Sequence, residues 1–249
     1  MKKRGQGLWS CGEVTIHVFL AAFSVTAAAA ALSDSEAAVI QELKESLNID
    51  DGTWNPMTDK CNWTGVNCDV PRSSVLGVLI ADFNLSGTLP ASVGNLTQLQ
   101  AFDVRGNRIT GPVPDFNGSV NLLYLLIDGN SFTSIPPTLF DFNPQLTYVS
   151  LDYNPHLSPW KIPNSLKTCS NLTYFSAVHC NLNGTFPAVF NDHNFPILNT
   201  LRLMSNHLSG KISLAQLPAS LETLCISAGP REGHGDASAP APCSEKHFY

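Results

Sequence analysis

Charge is scarce in this chain. Of its 249 residues 14% are charged, with 14 Lys+Arg against 20 Asp+Glu and a formal net charge of -6. That balance excludes the basic stripe of a nucleic-acid binder. Beyond residue 32 the sequence has no apolar run long enough to span a bilayer. Signatures of chemistry are missing as well: there is no nucleophile triad, no phosphate-cradling loop and no zinc-ligand spacing. No catalytic residue, metal site or cofactor is therefore expected. Turn formers are plentiful instead, with 17 Gly and 17 Pro, a composition of many bends rather than of long solvated helices.

The chain opens on a basic Met1-Lys2-Lys3-Arg4, followed by Val14–Leu32, apolar apart from Thr15, His17, Ser24 and Thr26. Ala29 and Ala31 supply the small residues a signal peptidase needs, so residues 1–31 read as a signal peptide. An uncleaved membrane anchor is the competing reading, because the run is about bilayer length. The mature chain is expected to be secreted or to lie on the outer side of the plasma membrane. Asn62, Asn84, Asn95, Asn117, Asn171 and Asn183 each head an Asn-x-Ser/Thr triplet. Six such acceptors behind a signal segment point to a glycosylated chain, although an asparagine-rich repeat would supply some of them anyway.

Residues 33–74 read as an N-terminal cap. Ser33 or Ser35 can cap a helix running to about Leu47, with Ile40, Leu43 and Leu47 on one face. Trp54 and Cys61-Asn-Trp63-Thr-Gly65-Val66-Asn-Cys68 follow. In an oxidising compartment two cysteines this close should pair, and the other ligands of a metal site are lacking.

From Val75 to Ile226 a period of 23 to 26 residues takes over, with starts at Val75, Leu99, Leu122, Leu146, Leu172, Leu198 and Leu221. Positions one, four and six are apolar, position nine is mostly Asn (Asn107, Asn130, Asn154, Asn206), and position thirteen is often Gly (Gly87, Gly111, Gly184, Gly210). Cys180 and Phe83 depart from the asparagine rule. This pattern resembles the leucine-rich repeat. It implies an α/β solenoid, a right-handed superhelix in which each coil adds one strand to a parallel concave sheet and no coil folds alone. Cys169 and Cys180 read as free and buried rather than bridged. The fourth coil carries an insertion around Pro155–Lys161, a candidate docking irregularity.

Register then predicts a surface. Position three gives Gly77, Ala101, Tyr124, Tyr148, Tyr174 and Thr200, so three tyrosines should stand on neighbouring strands about 4.8 Å apart. Position seven gives Ala81, Arg105, Asp128, Asp152, Val178 and Met204; Tyr153 and His179 share position eight. These residues, with Arg202, form the expected ligand- or partner-binding face, Tyr124, Tyr148, Tyr174, Arg105, Asp128, Asp152, Tyr153 and His179 being its core. Cross-strand tyrosines also stabilise a sheet without any partner. Asp128 and Asp152 are not expected to act as a glycosidase pair, since on an open sheet nothing would raise either pKa.

The cap Trp54…Cys61-x-Trp63-x-Gly65-Val66-x-Cys68, followed by Leu-x-Gly-x-Ile/Leu-Pro repeats, resembles the ectodomains of plant leucine-rich-repeat receptor-like kinases. Gly111-Pro-Val-Pro114, Ser134-Ile-Pro136, Trp160-Lys-Ile-Pro163 and Asn171–Ala177 resemble the transmembrane-kinase (TMK) subfamily. The resemblance implies a cell-surface receptor that perceives an extracellular peptide, protein or hormone-linked ligand, with a co-receptor. The sequence has no Gly-rich loop, His-Arg-Asp or Asp-Phe-Gly, so kinase activity is not carried over. Residues 227–249 abandon the period and are expected to be a disordered tail, with no pairing assigned to Cys225 and Cys243. On this reading the chain is a truncated receptor whose membrane anchor is missing. The alternative is a secreted inhibitor of a cell-wall hydrolase, similar to polygalacturonase-inhibiting proteins.

Overall fold

The computed structural model describes residues 31–210, 214–226 and 244–245. The predicted signal segment therefore lies outside the described residues except for Ala31, and so does most of the predicted tail. The helix Asp34–Ser46 opens the described chain. Ser33 caps it, its hydroxyl accepting from the Glu36 N–H at 3.3 Å. Ile40, Leu43 and Leu47 are fully buried along one face, as the three- and four-residue spacing requires. Trp54 and Trp63 stack with ring centroids 5.0 Å apart, and Cys61 is bonded to Cys68. The strand Val66–Cys68 runs antiparallel to Val75–Leu79, and this fixes the cap on the first coil. One buried carboxylate completes the joint: Glu36 accepts the Val75 N–H at 2.6 Å. Burial raises the Glu36 pKa against the lowering effect of that hydrogen bond.

Seven parallel strands follow, one per coil: Val75–Leu79, Ala101–Asp103, Tyr124–Leu126, Tyr148–Ser150, Tyr174–Ser176, Thr200–Arg202 and Thr223–Cys225. Their order in the sheet is their order in the chain, which is what a solenoid demands. Positions one, four and six of the coils are buried from Val75, Val78 and Ile80 to Leu198, Leu201 and Leu203. At roughly 1.5–3 kcal/mol for each large apolar side chain removed from water, this spine is the main source of stability. Behind it lies a second row absent from the sequence reading. Its rings pack on spine residues: Phe116 meets Phe102, and Phe140, Phe190 and Phe195 join Phe175 in a run of tilted rings with centroids 5.6–6.3 Å apart.

The outer side carries short strands and 3-10 turns; the one α-helix among the described residues belongs to the cap. Ser86–Thr88, Arg108–Pro112 and Ser131–Ser134 form one outer sheet, and Asn183–Thr185 with His207–Ser209 forms another. The break between them is the irregular fourth coil, crossed by the isolated bridge of Trp160 to Leu182. Gly87 shows why position thirteen favours glycine: its φ is +118°, and a Cβ would meet the Ser46 carbonyl oxygen at 2.0 Å.

The tail expectation needs correction at its described residues. Ser244–Glu245 pairs antiparallel with Thr223–Cys225 and forms the last strand of the nine-stranded sheet. Cys225 is disulfide-bonded, with its partner outside the described residues. Cys169 and Cys180 are free and fully buried. Burial pushes their thiols up to about 11 and about 12, so neither is a reactive thiolate.

Candidate functional site

The concave wall is built from positions three, five and seven of each coil. Pairing places Tyr124 beside Tyr148 and Tyr148 beside Tyr174, so the predicted strip exists on three successive strands. The rings of Tyr148 and Tyr174 stack face to face, 4.0 Å apart and 2° from parallel. Arg202, on the next strand and two residues beyond the register partner of Tyr174, donates from Nη1 to the Tyr174 hydroxyl at 3.2 Å. Desolvation, and then the neighbouring Tyr174, raise the Tyr148 pKa, so the Tyr148 phenol stays a neutral hydrogen-bonding group.

Asp128 and Asp152 differ from the expectation. They do not stand open on the sheet. Asp152 is 4% exposed and well satisfied, accepting from the Ser176 hydroxyl at 2.6 Å and the Val178 N–H at 2.7 Å. Arg202 lies 4.0 Å from its other oxygen. Asp128 accepts from the Ser150 hydroxyl through Oδ1, while its Oδ2 is buried without a partner. Burial, followed by the Asp152 charge, raises the Asp128 pKa to about 6. Burial also raises that of Asp152. The sequence reading missed the cause, which is position five. Ser150 and Ser176 sit there and cover the aspartates of the preceding coil. The signal was present as a second register row next to the one read.

Arg105 is likewise engaged. It grips Asp103, also at position five, through Nε at 2.9 Å and Nη2 at 2.8 Å. Tyr153 and His179 fall outside the sheet. Both follow their strands, at φ +53°, with ring centroids 6.1 Å apart, and so form the rim of the wall. Position eight is left-handed in six successive coils: Asp82, Gly106, Gly129, Tyr153, His179 and Ser205. Glycine meets that requirement at no steric cost, whereas tyrosine and histidine do not.

Of the six glycosylation acceptors, Asn62, Asn84, Asn95, Asn117 and Asn171 are exposed. Asn183 is half-buried inside the outer strand Asn183–Thr185, its Oδ1 enclosed without a partner. Among the described residues no cluster of three or more His, Cys, Asp or Glu is placed to hold a metal. No helix among them is long and apolar enough to cross a membrane.

Comparison with known proteins follows the same lines. Residues 33–69 match the leucine rich repeat N-terminal domain. The receptor-like kinase TMK2 of Arabidopsis thaliana is 35% identical over 210 residues, covering 83% of this chain and 24% of that protein. The ectodomain of the Arabidopsis thaliana receptor kinase HAESA, solved with an N-terminally extended IDA peptide hormone, superposes with a TM-score of 0.66. It is 26% identical, covering 79% of this chain and 33% of that one. A chain of the BIR3–SERK2 complex from the same plant gives a TM-score of 0.56 at 25% identity, covering 71% of this chain and 96% of that one. The chain spans about a quarter or less of the length of the curated relatives it matches.

Proposed function

We propose that this chain, a leucine-rich-repeat protein akin to the ectodomains of plant receptor-like kinases, is an extracellular binding module of a TMK-like receptor. It takes a peptide, protein or hormone-linked ligand, and a co-receptor, on the concave wall of coils two to six. One observation carries the reading. The wall changes from small and apolar at Gly77, Leu79 and Ala81 to Tyr148, Tyr174, Asp128, Asp152 and Arg202. A solenoid needs the buried spine to fold but has no need of such a face, and an aromatic strip flanked by arginine is the composition of a binding surface. HAESA, solved with a peptide hormone, and the BIR3–SERK2 complex lend the partner classes. The module itself performs no phosphoryl transfer.

The test is a binding screen. The purified domain is presented to arrays of plant ectodomains and secreted peptides, beside a variant carrying Tyr124→Ala, Tyr148→Ala and Tyr174→Ala. Loss of the partners in the variant, with its circular dichroism unchanged, is expected. Retention of every partner would overturn the assignment of the wall.

A second reading, a secreted inhibitor of a cell-wall hydrolase, draws on the other end of the sheet. The pairing of Ser244–Glu245 with Thr223–Cys225, and the bonded Cys225, close that edge as in a self-contained module. Inhibition of a polygalacturonase by the purified domain would favour it.

A further inference from the structure

We propose that the concave wall between the third and fourth coils is a site for a cationic group, the guanidinium or ammonium of a basic side chain on an extracellular peptide, with the Asp128 carboxylate as its acceptor. The proposal rests on the receptor reading above and names the chemistry of its ligand.

The charges on this wall decide the sign. Asp103, Asp128 and Asp152 face Arg105 and Arg202. Arg105 is held in a two-pronged grip by Asp103. Arg202 donates to Tyr174 and lies 4.0 Å from Asp152. Asp152 has both a hydroxyl and a backbone donor. Three carboxylates against two guanidiniums leave one negative charge. It falls on Asp128, whose Oδ2 has no donor. A carboxylate oxygen without a partner is costly; the Asp128 side chain is half-buried rather than sealed, so rotation of its carboxylate brings Oδ2 to a donor from solvent, and one that also carries positive charge would relieve it most. A ligand carboxylate would find both arginines occupied and would be repelled by Asp128.

The surroundings suit such a guest. The second coil contributes Asp103 and Arg105. The fourth contributes Ser150, Asp152 and the half-buried ring of Tyr148, which continues into Tyr174 and Arg202 on the coils beyond. The Tyr148 ring lies within electrostatic reach of the acceptor and offers aromatic contact to a planar guanidinium. Arg105 sits on the opposite side and acts as a selectivity element: it disfavours a cation that is not held by hydrogen bonds to Asp128 itself. With its carboxyl raised to about 6, Asp128 carries its charge at neutral pH and loses it in mild acid, so occupancy should fall as pH falls.

The experiment is a titration of the wild-type domain, labelled with 13C at the aspartate carboxyl carbons. The probe is the peptide acetyl-Gly-Arg-Gly-amide, and its citrulline counterpart has the same shape without the charge. The arginine peptide should move the Asp128 resonance and lower its titration midpoint. It should bind about tenfold more weakly to Asp128→Asn, and more weakly at about pH 5 than at about pH 7.5. The citrulline peptide should do neither. Equal response to both peptides, absence of any shift at Asp128, or unchanged affinity in Asp128→Asn would overturn the assignment. If Asp128→Asn does not fold, the citrulline comparison and the pH dependence in the wild type decide. None of these outcomes depends on the tyrosine-variant screen, so the cation assignment can fail while the receptor reading stands.

Discussion

The asparagines beneath the turns and the aspartates on the concave wall occupy positions nine and seven of the same coils. Each asparagine is fully used. Asn130 Oδ1 accepts the Ile109 N–H of the preceding coil, and its Nδ2 donates to the carbonyls of Val104, Ile127 and Asp128. Asn107, Asn154 and Asn206 repeat the scheme. Two residues away, the acidic row is satisfied at Asp152 and left incomplete at Asp128. A polar group that exists to hold coils together finds all its partners inside the chain. On the concave wall, the group that does not is the one to which we assign a partner from outside. One row builds the scaffold and the other presents it.

Three changes would break or sharpen that contrast. The largest effect is expected from Asn154→Ala, which leaves the Phe132 N–H and the carbonyls of Ile127, Leu151 and Asp152 without the amide in a fully buried site. Urea unfolding should report a loss of about 4 kcal/mol, with no change in pH dependence. Asp128 should show the opposite pattern. Its carboxyl is raised to about 6 in the folded chain from the ordinary aspartate value of 3.8 expected when unfolded, so the fold favours the protonated form. The stabilisation is full below the unfolded value and is lost as pH rises through about 6, by up to about 3 kcal/mol. Melting temperatures measured across that range should therefore fall with rising pH, and Asp128→Asn should flatten the slope. The smallest effect is expected from Tyr174→Phe. It removes the hydroxyl that Arg202 meets but keeps the stacked ring, for about 1 kcal/mol or less in the same unfolding assay.

A fourth outcome concerns the sugar acceptors. Peptide mass spectrometry of the domain secreted from eukaryotic cells should find glycans at the five exposed asparagines and none at Asn183, whose amide is enclosed in an outer strand.

Much of this was legible in the residues. A period near 24 with fixed apolar positions gives the sheet, and once strands are aligned, counting alone puts Tyr124, Tyr148 and Tyr174 side by side. The asparagine ladder and the left-handed glycines follow from the same count. What did not follow was depth. Whether Asp128 is open or enclosed depends on Ser150 across the strand and Tyr148 beside it, a neighbourhood that a single register row does not contain. Tyr153 and His179 were placed on the wall because the count was carried one turn past the strand, where the backbone reverses to φ +53°. The phenylalanine run was hidden for a different reason. Phe116, Phe140, Phe190 and Phe195 lie in the variable part of the coils, where no period marks them. The tail's return to the sheet rests on residues 244–245, far from any repeat signal.

The most direct measurement is the titration of the Asp128 carboxyl carbon by NMR in the free domain. A midpoint near 6, falling back toward the ordinary aspartate value when a basic ligand is bound, is the result expected of an unfinished acceptor on the binding wall. A midpoint near 4 in the free domain, unmoved by any cation, would mean that Asp128 is as complete as the asparagines behind it, and the contrast between the two rows would be gone.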